Sequence, residues 1–110
     1  MPARSSLPTP YAELVLDLVA AIPPGCALAY GDVARLIGHG GPLQVGTALA
    51  RFGGGVPWHR VVRADGSIHA SHAAEALARH RAEGTPLTAD GARVDLARAR
   101  PPQCRGRLVR

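Results

Sequence analysis

Two breaks, Pro23-Pro24-Gly25 and Gly38-His39-Gly40-Gly41, cut the first half of the chain into three short segments that no single helix can span. Proline lacks the amide hydrogen a helix interior needs, and glycine accepts the left-handed backbone in which helices end. The first segment opens on Thr9-Pro10, a side-chain cap followed by proline at the first helical position. Tyr11, Leu14, Val15, Leu18, Val19 and Ile22 then recur at the spacing of one buried helical stripe. A second, short helix is predicted over residues 31–37, with Val33, Leu36 and Ile37 inward and Gly38 as its stop. A third is predicted over residues 42–52. Val45, Ala48, Leu49 and Phe52 form its core face, and Leu43, Gly46, Thr47, Ala50 and Arg51 are left on the other side.

The second half alternates turns with one longer helix. Asp65-Gly66 predicts a β-hairpin over residues 60–68, and Asp90-Gly91 a smaller one over residues 87–94, because both pairs tolerate positive φ. Between them a helix is predicted over residues 72–83, capped by Ser71 and ended by Gly84 and Pro86. The fold class is therefore mainly α with small β hairpins. Two short helices, a turn between them and a following hairpin read as a winged helix-turn-helix. One domain is expected over residues 9–97, with residues 1–8 as a disordered lead-in and 98–110 as a basic, disordered tail. No apolar run approaches the ~18 residues of a membrane span, and no signal-peptide layout opens the chain, so a cytoplasmic protein is expected. Cys26 and Cys104 lack metal-ligand spacing and read as reduced.

The chain carries a formal net charge of +5, but residues 1–97 hold eight arginines against eight acids. The excess lies at Arg98, Arg100, Arg105, Arg107 and Arg110. Within the body, Arg35, Arg51, Arg60 and Arg63 fall in an acid-free stretch, while the first helix carries Glu13 and Asp17. That asymmetry suggests one basic face suited to phosphates. Richness in Arg, Ala, Gly and Pro with no lysine is the competing, purely compositional explanation.

Pro57-Trp58-His59-Arg60-Val61-Val62 resembles the Pro-Cys-His-Arg-Val active-site signature of O6-alkylguanine-DNA alkyltransferases, in which the cysteine accepts an alkyl group from damaged guanine. Tryptophan stands at the cysteine position, and an indole has no thiolate to attack carbon. The same replacement marks the alkyltransferase-like proteins, which bind the lesion without repairing it. Further anchors occur in order: Ile22-Pro23-Pro24-Gly25, Tyr30-Gly31-Asp32-Val33-Ala34, Val45-Gly46-x-Ala48, Asp65-Gly66 and Glu83-Gly84. The resemblance to the alkyltransferase C-terminal domain spans residues 11–87, and the ordered set is far more specific than any single motif.

The resemblance implies a helix-turn-helix that binds the minor groove and rotates the damaged nucleotide into a pocket, at a cost of a few kcal/mol. Tyr30 matches the tyrosine set against the rotated phosphate. Trp58, Val61, Ser71 and His72 fall at the lesion pocket. Tyr30, Leu43, Gln44, Gly46, Thr47, Arg51 and Arg60 are the residues expected to meet DNA. His59 and Glu83 match the general base and the carboxylate that orients it, and without a thiol they read as a retained hydrogen-bond scaffold. Leu43 departs from the family, which carries an intercalating arginine there. A leucine can wedge between base steps but cannot hydrogen-bond an orphaned cytosine.

With Trp58 at the acceptor position no catalytic residue is expected, and no cofactor; nor is a metal, since only Glu75 stands near His69 and His72 as a third ligand and the strand-to-helix junction breaks their helical register. His39 and His80 read as surface residues. The reading is a non-enzymatic, monomeric sensor of O6-alkylguanine in duplex DNA that hands the lesion to nucleotide excision repair, nucleoid-associated when bound. The alternative is a winged helix-turn-helix regulator that binds undamaged DNA. A third is an alkyltransferase with its nucleophile displaced to Cys26.

Overall fold

A computed structural model describes residues 7–101. Helix α1 spans Pro10–Ala20, strand β1 Leu28–Ala29, α2 Tyr30–Ile37 and α3 Pro42–Phe52. Two 3₁₀ turns, Gly53–Gly55 and Trp58–Arg60, lead to β2 at Val61–Val62; α4 is Ala70–Glu83 and α5 is Leu96–Ala99. The mainly helical class holds.

The caps explain where the helices begin. Thr9 accepts the Ala12 amide at 3.1 Å, with Pro10 at the first helical position of α1. Ala29 has no capping side chain, so Asp32 reaches back to its amide at 2.8 Å. Gln44 does the same for Gly41 ahead of α3, again at 2.8 Å. Gly38 closes α2 with φ 103°, a conformation that favours glycine.

Helices α1, α2 and α3 pack on one another around Val15, Val19, Val33, Val45 and Ala48. Two residues assigned inward from the sequence face outward: Leu14 is 47% exposed and Leu36 64%. The buried stripe is thus narrower than the apolar one, and Ala12 and Ala34 are buried in the contact instead.

The first expected hairpin does not form a ladder. Asp65-Gly66 does turn the chain: the Gly66 amide donates to the Arg63 carbonyl at 2.8 Å, and the Arg63 amide to Ser67 at 3.0 Å. Strand β2, however, pairs in parallel with β1, Leu28 opposite Val61 and Ala29 opposite Val62. All four residues are buried, the usual setting of parallel pairing. Gly66 uses its carbonyl to accept the Val94 amide at 2.9 Å, which docks the second hairpin beneath the turn. That hairpin forms as expected, with Leu87 bridging Val94 antiparallel.

Two boundaries and the state of Cys26 also differ. Helix α4 starts at Ala70, and its cap is His69, whose ring accepts the Ser71 amide at 3.2 Å. The chain is still folded past residue 97, because the Ala99 carbonyl accepts the Ala27 amide at 3.0 Å and Arg100 reaches Asp32 at 2.7 Å. Cys26 is fully buried and disulfide-bonded rather than reduced, which removes it as a displaced nucleophile. The expectations of disorder at residues 1–6 and 102–110 lie outside the described residues.

Candidate nucleic-acid interface

The start of α2, the middle of α3, the signature turn and the first turn of α4 enclose a cavity of about 290 Å³. Tyr30, Gly46, Leu49, Trp58 and His72 are among its walls. Tyr30 is the first residue of α2, and its ring passes 4.0 Å from where a side chain on Gly46 would begin. A small residue at 46 is thus what lets the phenol lie along α3. Burial raises the pKa of that phenol, against the pull of the Arg63 guanidinium, so it stays protonated and able to donate.

Trp58 opens its 3₁₀ turn half-buried. Its ring system packs in a T-shape with His72, centroids 5.5 Å apart, and the Arg79 guanidinium lies 5.5 Å from the ring centroid. Arg79 is held in turn by Glu75 at 2.8 Å. A cation over an indole contributes on the order of 0.5–1 kcal/mol at an exposed site. Helix α4 therefore braces Trp58 on one side and leaves the cavity on the other.

Behind the tryptophan, Glu83 gathers the signature into one network. His59 Nε2–H donates to Glu83 Oε2 at 2.9 Å, Arg60 donates to both carboxylate oxygens at 3.1 and 2.8 Å, and the Gly25 amide donates at 3.4 Å. Arg60 also donates to the Ile22 carbonyl at 2.8 Å. Burial alone would raise the Glu83 pKa, but the bonds from Arg60 and His59 outweigh it and hold the group at about 2. Burial keeps His59 neutral, lowering its pKa despite the carboxylate. Its Nδ1 is buried without a hydrogen-bond partner among the described residues.

His80 completes the support. Fully buried rather than at the surface, it donates from Nε2 to the His59 carbonyl at 2.7 Å and accepts at Nδ1 from the Thr85 hydroxyl at 2.8 Å. Burial lowers its pKa too, so the ring is neutral. The sequence did hold a signal for this, since Ala76, His80 and Glu83 recur at helical spacing on the inward face of α4.

The residues expected at the pocket divide. Tyr30, Trp58 and His72 meet at the cavity, and Gly46 joins them from the DNA-contact set. Val61 lies in the core beneath, in β2. Ser71 is bonded to His69 at 2.9 Å and does not line the cavity. Arg60, expected to meet DNA, is turned inward with its side chain 13% exposed. Leu43 projects from the first turn of α3 at 81% exposure. Gln44, Thr47 and Arg51 line a separate groove of about 380 Å³ beside Tyr11 and His39, with Gln44 committed to capping α3.

The family model of the 6-O-methylguanine DNA methyltransferase DNA-binding domain matches residues 10–85, from α1 to Thr85 behind the signature. The chain belongs to this family. Within it the sequence is 41% identical over 97 residues to the DNA base-flipping protein of Escherichia coli K12, covering 82% of this chain and 73% of the relative. It is 44% identical over 61 residues to a methylated-DNA–protein-cysteine methyltransferase of Methanothermobacter thermautotrophicus, covering 54% of this chain and 34% of that one. The structure is similar to that of S. pombe Atl1 in complex with damaged DNA containing O6-carboxymethylguanine. The TM-score is 0.69 at 29% identity, over 82% of this chain and 93% of Atl1. These matches make the chain an alkyltransferase-like protein.

Proposed function

We propose that this alkyltransferase-like chain is a non-enzymatic sensor of O6-alkylguanine that flips the lesion out of duplex DNA and shelters it without transferring the alkyl group. The observation that carries the reading is Trp58. It stands where the resemblance puts the acceptor cysteine, with the scaffold behind it kept, and it lines the same cavity as Tyr30. Trp58 and His72 offer aromatic faces to a flipped base, and base–aromatic stacking contributes about 1–3 kcal/mol. Tyr30 offers a protonated phenol to the rotated phosphate, and exposed Leu43 is placed to wedge into the stack. His59 and Glu83 move no proton in this scheme.

The base-flipping name of the Escherichia coli relative and the lesion in the Atl1 complex support the assignment. Handover of the bound lesion to nucleotide excision repair, action as a monomer and a cytoplasmic, nucleoid-associated location belong to the same proposal and rest on resemblance. The test is a titration of one duplex with and without a single O6-methylguanine at fixed salt. Tighter binding to the lesion duplex, with no alkyl mass adduct on the protein, is expected. Equal affinities, together with a sequence motif selected from random duplexes, would instead make the chain a regulator of undamaged DNA.

A further inference from the structure

Beside the lesion cavity lies a second cleft, of about 260 Å³, that shares Tyr30 with it. Its walls come from the start of α2, Pro42 at the start of α3, Arg63 and Ala64 after β2, and Arg100 after α5. Three guanidiniums, Arg35, Arg63 and Arg100, face one carboxylate, Asp32. Asp32 is buried and fully used. It caps Ala29 at 2.8 Å, holds Arg35 at 3.1 Å and holds Arg100 through Nε at 2.7 Å. Anchoring Arg100 by Nε leaves its two terminal nitrogens for another acceptor. Arg63 is exposed, no carboxylate pairs with it among the described residues, and its charge is felt at the Tyr30 phenol. The cleft thus keeps an excess of two positive charges, one residue in sequence from the exposed Leu43.

We propose that this cleft seats a DNA backbone phosphate next to the one at Tyr30, with Arg63 and Arg100 as its cations and Asp32 as the residue that positions Arg100. Arg100 lies beyond residues 10–85 that match the family, so the C-terminal segment completes a contact that the family domain does not supply alone. The inference rests on the DNA-binding reading above and concerns affinity rather than lesion choice. A guanidinium pair suits a phosphate because its planar fork of donors matches the oxygens. Each phosphate neutralised on duplex DNA adds about 0.9 to the slope of log affinity against log salt.

The test uses the full 110-residue chain and an undamaged duplex, with affinities measured between about 50 and 200 mM salt. Arg63→Gln, which removes one of the two cations on that phosphate, is expected to lower the slope by about half of 0.9, which shrinks the affinity span over that range about 1.9-fold. Arg63→Gln combined with Arg100→Gln removes both cations from that one phosphate and is expected to lower the slope by about 0.9, shrinking the span about 3.5-fold. Arg81→Gln, on the exposed surface of α4 and outside both cavities, serves as the control for bulk charge. An unchanged slope in Arg63→Gln, or an equal drop in Arg81→Gln, overturns the cleft. Should the double variant lose its fold, Arg63→Gln decides alone, because no carboxylate depends on it. A slope that falls while lesion and undamaged duplexes bind equally would support the cleft and defeat lesion sensing. An unchanged slope with lesion preference intact does the reverse.

Discussion

Replacing Glu83 by glutamine removes the charge that ties Gly25, His59 and Arg60 together, and the size of the loss follows from its titration. A carboxyl held at about 2 instead of its ordinary 4.5 is stabilised by about 3 kcal/mol in the charged form, at ~1.4 kcal/mol per pH unit. A second route gives a similar figure. Removing one partner of a largely buried ion pair costs about 3–5 kcal/mol, and the glutamine oxygen recovers about 1 kcal/mol by still accepting one bond. Glu83→Gln should therefore lose about 3 kcal/mol at pH 7, or roughly 10–20 °C in Tm for a domain of this size. Because the folded pKa is depressed, this contribution is present above 4.5 and disappears as pH falls toward about 2. Urea titrations across that range should show a steep acid limb in the parent and a shallower one in the variant. The limb that begins below about 6.5 should remain in both, since neutral buried His80 must take up a proton. A variant within 1 kcal/mol of the parent, with the same acid limb, would refute the idea that Glu83 braces the signature.

Further outcomes are expected. Trp58→Ala should weaken binding to an O6-methylguanine duplex by about 1–3 kcal/mol and to undamaged duplex far less, as read by fluorescence anisotropy; equal losses would mean that the indole only fills space. Leu43→Arg should raise the ratio of lesion to undamaged affinity at fixed salt and Tyr30→Phe should lower it. A 2-aminopurine at the lesion position should brighten on binding if the base leaves the stack. Gly66→Ala should cost about 2–4 kcal/mol in chemical denaturation, because φ is 86° there and the added methyl runs into the Val94 carbonyl oxygen.

Local chemistry by itself determined the helix-turn-helix. Thr9-Pro10, Gly38 and Pro42 act within one turn of where they stand, so α1, α2 and α3 could be read from spacing and caps alone. The signature, with Trp58 at its centre, was legible for the same reason, since a motif is a property of neighbours in sequence. What only the tertiary structure decided involves partners far apart along the chain. Val61–Val62 pairs with Leu28–Ala29 rather than across its own turn, because burying both strands in the core outweighs a local hairpin. Arg60 turns inward because Glu83 and the Ile22 carbonyl await it, 23 and 38 residues away. Arg100, 68 residues from Asp32, left the expected tail for the α2 face. A sequence states which side chains carry charge, but whether a guanidinium meets water, a carboxylate or a phosphate depends on which surfaces the fold brings together.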